Sequence, residues 1–324
     1  LADILAKKPH LVKTPLTFLF HAQRICHQHI RDLGRVGRRY RAANLLHPRN
    51  KIQSTMNSPA PAACALTIAG SDSGASAGIQ ADLKTFAAHG IHGLTAITAV
   101  TAQNTHQITA VRVLSRQIVL AQLDAVLADF HIAAVKIGML GSVTNARAVA
   151  HWLRDHRLPN VVVDPVLAAS SGSRLLAAGA LSTLRRELLP LARVLTPNVP
   201  EAEALLGRPI RNVAEMRAAA HDLRALGPHA VLIKGGHLDG APLRDYFVDD
   251  EGELEFRHRR RNYAVRGTGC SLASAIAAGL AQGLPLRVAV EHAERYLQSA
   301  FASARRYGRG PLRTLQHDAS RGHD

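Results

Sequence analysis

From Ala65 onward the chain alternates short, continuous apolar runs with stretches whose apolar residues recur at helical spacing. Few folds accept that pattern, because a strand that is apolar on both faces needs cover on both faces. A parallel sheet flanked by helices supplies it. The runs 65–70, 94–100, 134–138, 161–163, 194–195 and 230–234 are therefore expected as strands. Helices are expected over 79–90, 117–129, 143–156, roughly 180–189, from Pro200 onward, and over 212–226, with 270–282 and 286–306 closing the domain. Residues 245–263 read as a hairpin turning at 249–252. The expected class is α/β with a mostly parallel central sheet. Aromatics make up only 4% of the chain, so alanine, leucine and valine must fill the core, which suits thin helices packed close to a sheet.

The formal net charge of +16 is unevenly placed. Before Ala60, eleven Lys and Arg residues face only Asp3 and Asp32, so this segment carries +9 of the total. Residues 1–60 are read as a basic extension ending in the loop-like stretch NSPAPAA. Its Arg-rich, acid-poor character is shared with transit peptides, but serine is scarce. Met56 stands just before the first expected strand and is taken as the natural start, with the upstream part an extension. Apolar runs long enough to cross a bilayer are missing from the sequence, so a soluble protein without a membrane partner is expected. Three widely spaced cysteines, Cys26, Cys64 and Cys270, form neither a disulfide framework nor a zinc pattern, and imply a reducing, cytoplasmic setting.

In an open parallel sheet the ligand lies beyond the carboxyl ends of the strands. Here those ends deliver Asp72 and the loop to Gly78, Gln103 and Asn104, Gly138 and Met139, Asp164, Asn198 with Glu201, and Lys234-Gly235-Gly236. Last comes Arg266-Gly267-Thr268-Gly269-Cys270, which opens a helix. Taken alone, that turn is equally a glycine turn before a buried helix or an anion site made of backbone N–H groups at a helix N-terminus. Its recurrence among polar strand ends favours the anion site, and the chemistry it suggests is phosphoryl transfer. Asp164 and Glu201 could hold hydrated Mg2+, Lys234 could neutralise phosphate charge, and the 267–270 turn could stabilise charge on the transferred group. The helix N-terminus and Arg266 are expected to lower the Cys270 pKa. Neither G-x-x-x-x-G-K-[ST] nor G-x-G-x-x-G after the first strand is present, which argues against P-loop and dinucleotide-binding enzymes.

The text ALTIAGSDSGASAGIQADLKTFAAHG, followed in order by TAVTAQNT, VKIGMLGS, VVVDPVLAASSG, LTPNVPEAEALLG, VLIKGGH and RGTGCSLASAIAAGLAQG, resembles the hydroxymethylpyrimidine and phosphomethylpyrimidine kinases of the ribokinase-like superfamily. The resemblance runs from about Ala63 to Gly310. It implies a three-layer α/β/α kinase domain over 61–312, a tail over 313–324, and ATP with Mg2+ as cofactors. The implied reaction phosphorylates 4-amino-5-hydroxymethyl-2-methylpyrimidine and then its monophosphate in thiamine biosynthesis. It further implies a homodimer, since relatives are commonly dimers.

Carried over by residue, Gln103 is the amide that pairs with the pyrimidine edge, and Ala77, Gly78 and Asp82 are the wall and polar anchor of the same pocket. Met139 and Val166 pack on the ring. Asn198 and Glu201 are nucleotide and magnesium contacts, Lys234 is a phosphate contact, and Gly267, Thr268 and Gly269 form the anion hole. Cys270 stands where related sugar kinases place a catalytic aspartate, which makes it the expected general base. The chain departs from the family pattern in two places. Ser73-Gly74-Ala75-Ser76 replaces a proline with paired glycines, and Arg266 replaces the histidine before the glycine turn. A pyridoxal-type kinase is the nearest alternative. A non-catalytic sensor using the basic extension on nucleic acid is the other, and the intact set Asp164, Glu201, Lys234 and Cys270 argues against it, so nucleic acid is not an expected partner.

Overall fold

The computed structural model describes residues 62–318 apart from 168–178, 239 and 241. The basic extension and Met56 lie outside the described residues. The elements are β1 (Cys64–Asp72), α1 (Gly78–Ala88), β2 (His92–Gln103), β3 (Ile108–Val113), α2 (Arg116–Leu127), β4 (Ile132–Ile137), α3 (Val143–His156), β5 (Val161–Val163) and α4 (Ala180–Thr183). They continue with β6 (Val194–Leu195), α5 (Val199–Leu206), α6 (Val213–Arg224), β7 (Ala230–Lys234), β8 (Leu243–Asp249) and β9 (Gly252–His258). Last come β10 (Val265–Arg266), α7 (Thr268–Ala281), α8 (Leu286–Ala302) and β11 (Arg313–Thr314).

The main sheet runs β3-β2-β1-β4-β5-β6-β7-β8-β9. Its six central strands are parallel, and β3 at one edge and β8–β9 at the other are antiparallel. Successive residues of the central strands enter opposite cores, as the twofold period of a strand demands. Leu66, Val135, Val163, Leu195 and Val231 join one cluster with Leu123, Val149, Leu205 and Met216 of helices α2, α3, α5 and α6. Ala65, Ala134, Val162, Val194 and Leu232 join the other with Phe86 of α1 and with α7 and α8. Three layers result. Helix α7 is buried from Ser271 to Ala281, and its small side chains let it lie flat on the sheet. Gly279 brings it against Ala289 of α8, where even a methyl group would meet Ala289 Cβ at 3.0 Å.

The structure differs from the sequence reading in three places. Edge strand β3 was not expected, because most of its side chains are exposed and little is buried to reveal it. The helix expected over 180–189 is one short turn, Ala180–Thr183, followed by a π-turn at Leu184–Leu188 and a 3-10 turn at Leu189–Leu191. Pro190 has no N–H to give the Arg186 carbonyl, so a regular ladder could not run through the end of this segment. The tail boundary at 313 falls inside packed structure. Arg313 and Thr314 form β11, paired in parallel with β10, and Leu315 is 2% exposed.

Candidate active site

The carboxyl ends of the parallel strands open on a cleft of about 750 Å³. Every site residue expected from sequence lines it except Asp82. One end is organised by the loop after β1. The Asp72 carboxylate accepts from Gly74 N at 2.8 Å, Ser76 N at 3.1 Å and Ala77 N at 2.9 Å, so the loop is held from within by its own acid. Gly78 then starts α1 at φ +57, where a Cβ would overlap the Gly70 carbonyl oxygen. Gln103 ends β2, Met139 follows β4, and Val166 follows β5, which places an amide and two apolar groups on the wall of the same cleft.

The other end is built around charge. Lys234 Nζ donates to Asp164 Oδ1 at 2.9 Å, and Asp164 is 3% exposed. Burial opposes the charge on Lys234, but Asp164 and Glu201 outweigh it and hold the lysine pKa above its ordinary value. Glu201 closes a capping box at the start of α5: Asn198 Oδ1 accepts from Glu201 N at 2.9 Å, and Glu201 Oε2 accepts from Asn198 N at 2.8 Å. Burial pushes the Glu201 carboxyl up to about 7, with Lys234 pulling the other way and Asp164 adding to the rise. A pair of buried acids with oxygens to spare is an environment that a hard dication would relieve, so Asp164 and Glu201 fit Mg2+.

Gly267 caps α7 at φ +84, and a Cβ on it would overlap the Ser76 carbonyl oxygen. The first intrahelical bond of this turn runs from Ser271 N to Gly267 O, which leaves the N–H groups of Thr268, Gly269 and Cys270 without helix partners. A side chain at Gly269 would press on Lys234 Nζ at 2.9 Å, so the amides and the lysine share one spot. That spot has the donors and the positive field to hold a transferring phosphoryl group.

Two expectations are corrected. Asp82 is fully buried and does not line the cleft. Its oxygens take Lys136 Nζ at 2.9 Å, Thr67 Oγ1 at 2.6 Å and Ser274 Oγ at 2.8 Å, so it is a partner for a buried lysine and not a substrate anchor. Cys270 is not a low-pKa thiol. Burial pushes it up to about 11, and Lys136 offsets this only in part while Asp82 and Asp164 add to it. Arg266 reaches the cleft wall, but its guanidinium donates to Asn104 O at 2.9 Å and braces the Gln103 loop. Sequence reasoning missed Lys136, which lines the cleft near Cys270. A lone lysine inside the apolar strand IAAVKI was the available signal.

Comparison with known proteins accords with this geometry. The phosphomethylpyrimidine kinase family model matches residues 72–314. The hydroxymethylpyrimidine/phosphomethylpyrimidine kinase of Rhizobium meliloti is 49% identical over 262 residues, 77% of this chain and 96% of its own length. The protein of the same name from Salmonella typhimurium is 46% identical over 242 residues, 74% of this chain and 91% of its own. Among solved structures, the phosphomethylpyrimidine kinase of Clostridium difficile is similar at a TM-score of 0.67 and 41% identity, covering 74% of this chain and 99% of that one. The pyridoxal kinase of Staphylococcus aureus in complex with AMP-PCP and pyridoxal is similar at a TM-score of 0.74 and 29% identity, covering 82% and 97%. With most of its described residues inside the family match and the cleft residues in place, the chain belongs to the phosphomethylpyrimidine kinase family.

Proposed function

We propose that this chain uses ATP to phosphorylate the hydroxymethyl group of 4-amino-5-hydroxymethyl-2-methylpyrimidine, and then the resulting monophosphate to the diphosphate, as a step of thiamine biosynthesis. The observation that carries this reading is the single cleft in which Gln103, Met139 and Val166 face the Asp164–Lys234 pair and the amides at 268–270. Gln103 offers both a donor and an acceptor to a pyrimidine edge. With Asp82 engaged by Lys136, polar contacts at the other side of the ring fall to the backbone at Ala77 and Gly78.

Lys234 and the turn amides hold the γ-phosphoryl oxygens as the bond to ADP breaks. Cys270 Sγ takes the proton that leaves the substrate hydroxyl as the new O–P bond forms, and it does so as the thiolate, its own proton having first gone to solvent. Burial disfavours that thiolate and Lys136 beside it offsets part of the cost, so only the minor ionised fraction of the enzyme is competent. Asp164 and Glu201 would hold Mg2+, which when bound would supply neutralisation of the phosphate charge. Asn198 orients Glu201 for this through the capping box.

The reading includes a homodimer and a cytoplasmic location. Supporting the first, the β3 edge presents Val111 and Val113 to solvent on one face, an apolar edge that a second copy would cover. Supporting the second, Cys64 and Cys270 are free thiols, and among the described residues no helix is long and apolar enough to cross a membrane. The pyridoxal-type reading is kept open by the similarity to pyridoxal kinases. An ATP assay offering the hydroxymethylpyrimidine, its monophosphate and pyridoxal in parallel tests the proposal. Sequential turnover of the first two is expected; preference for pyridoxal without a second phosphorylation overturns it.

A further inference from the structure

On the far side of the β8–β9 hairpin from the helices α5 and α6, three ionisable side chains converge that the cleft does not use. In the hairpin register Leu243 lies opposite His258, so Asp245 and His258 are diagonal neighbours on one face of the ribbon. That is the face carrying Phe247 into the α7–α8 core, and α8 lays Glu294 against it. His258 Nε2 is 3.1 Å from Glu294 Oε2 and 3.5 Å from Asp245 Oδ2. The side chains of Asp245, His258 and Glu294 are 8%, 10% and 3% exposed. One ligand atom from each residue lies within 4.8 Å of the others.

This is not a finished ion-pair cluster. Neither close approach has hydrogen-bond geometry, and His258 Nε2 and both oxygens of Glu294 are buried without any hydrogen-bond partner. Two acids facing one imidazole also leave negative charge in excess in a dry place unless protons or a cation balance it. A dication balances two carboxylates and a neutral imidazole to zero. The two histidine–carboxylate distances agree with one: tetrahedral ligands at zinc bond lengths stand about 3.3 Å apart, between the 3.1 and 3.5 Å found here. Imidazole among the ligands favours zinc-like metals over Mg2+ and Ca2+. The outer contacts also match a metal site, since Asp245 Oδ1 accepts from Gly235 N at 2.7 Å and so leaves Oδ2 aimed inward.

We infer that Asp245, His258 and Glu294 form a structural site for a zinc-like divalent cation, separate from the Mg2+ position in the cleft. The fourth position is filled by water or by the second oxygen of Glu294. Occupancy pins the hairpin to α8 and, through Asp245 and Gly235, steadies the backbone immediately after Lys234. His258 is the last residue of edge strand β9, at the margin of the sheet.

The test uses the full chain, stripped with chelator and dialysed against ZnCl2 or CoCl2, beside Glu294→Gln, His258→Gln and Cys270→Ala. Expected results are about one more bound zinc in the wild type than in Glu294→Gln or His258→Gln, with Cys270→Ala like the wild type. The wild type should also show a tetrahedral cobalt spectrum and a zinc-dependent rise in Tm, both lost in the two ligand variants. Glu294→Gln is nearly isosteric and removes a buried charge, so misfolding does not mask the comparison. Equal zinc in the wild type and both ligand variants overturns the site. So does a wild type with neither cobalt bands nor a Tm rise, which would leave only an imidazolium held between two acids.

Discussion

Lys136 Nζ lies 2.9 Å from each carboxylate oxygen of Asp82, and neither side chain has any exposed surface. The pair joins β4 to α1 beneath the catalytic turn, and Ser274 of α7 ties into the same carboxylate. Removing one partner strands the other. Asp82→Asn is expected to cost about 3–5 kcal/mol in urea unfolding, while a paired Asp82→Leu, Lys136→Met variant should recover more than half of that. A double variant as unstable as the single one would show that charge pairing is not what holds this junction.

The thiol of Cys270 sets a second expectation. Because burial holds it up to about 11, its alkylation rate in the free protein should keep climbing past pH 9. Cys270→Ala, which leaves Cys26 and the more deeply buried Cys64, serves as the blank. The same variant should lower turnover by about 10²–10⁴ with little change in nucleotide affinity. An alkylation plateau below pH 8 would contradict the burial argument, and unchanged turnover would remove Cys270 as the base.

Backbone geometry at the catalytic turn can be separated from left-handed geometry in general. Gly267 and Gly283 have nearly the same φ, +84 and +82, but a Cβ at Gly267 overlaps Ser76 whereas Gly283 faces open space. Gly283→Ala should cost about 1 kcal/mol and leave activity alone. Gly267→Ala should cost more than about 2 kcal/mol and lower turnover at least about tenfold. Similar effects from the two would mean that closeness to Ser76 is irrelevant.

His317 gives a pH dependence with a definite sign. It is 7% exposed, its Nε2 lies 3.1 Å from Ser271 Oγ of α7, and burial pushes its pKa down to about 4. The unfolded chain takes a proton near 6.5 but the folded chain resists it, so stability is complete above pH 6.5 and falls between 6.5 and 4. His317→Gln should remove up to about 3 kcal/mol of that fall, read as the difference in denaturant midpoint between the two proteins across this range. Glu201 and Glu294, raised by burial, slope the other way in both proteins and cancel in the difference.

Much of this was readable in the letters. The strand ends were legible because continuous apolar runs stop at polar residues, and α3 and β7 match their expected bounds residue for residue. Those ends are also where the cleft forms. Asp82 was misplaced because a sequence cannot say which side of a helix meets an inward-pointing lysine on another strand. The thiol pKa was misjudged because the helix terminus is visible in the sequence while the depth of burial around it is not. Edge strand β3 hid behind its exposure, and β10–β11 behind a separation of nearly fifty residues.

The short β10–β11 ladder has a consequence for anything joined to the end of this polypeptide. Residues 305–317 run beside Arg266, pack Gly308 and Gly310 on Thr105 next to Gln103, and bury His317 against the catalytic helix. The C-terminal segment is thus a strap behind the Gln103 loop and helix α7 alike. A tag, linker or fused domain is harmless only after this strap is complete; spliced in earlier, it would loosen both while leaving the central sheet intact.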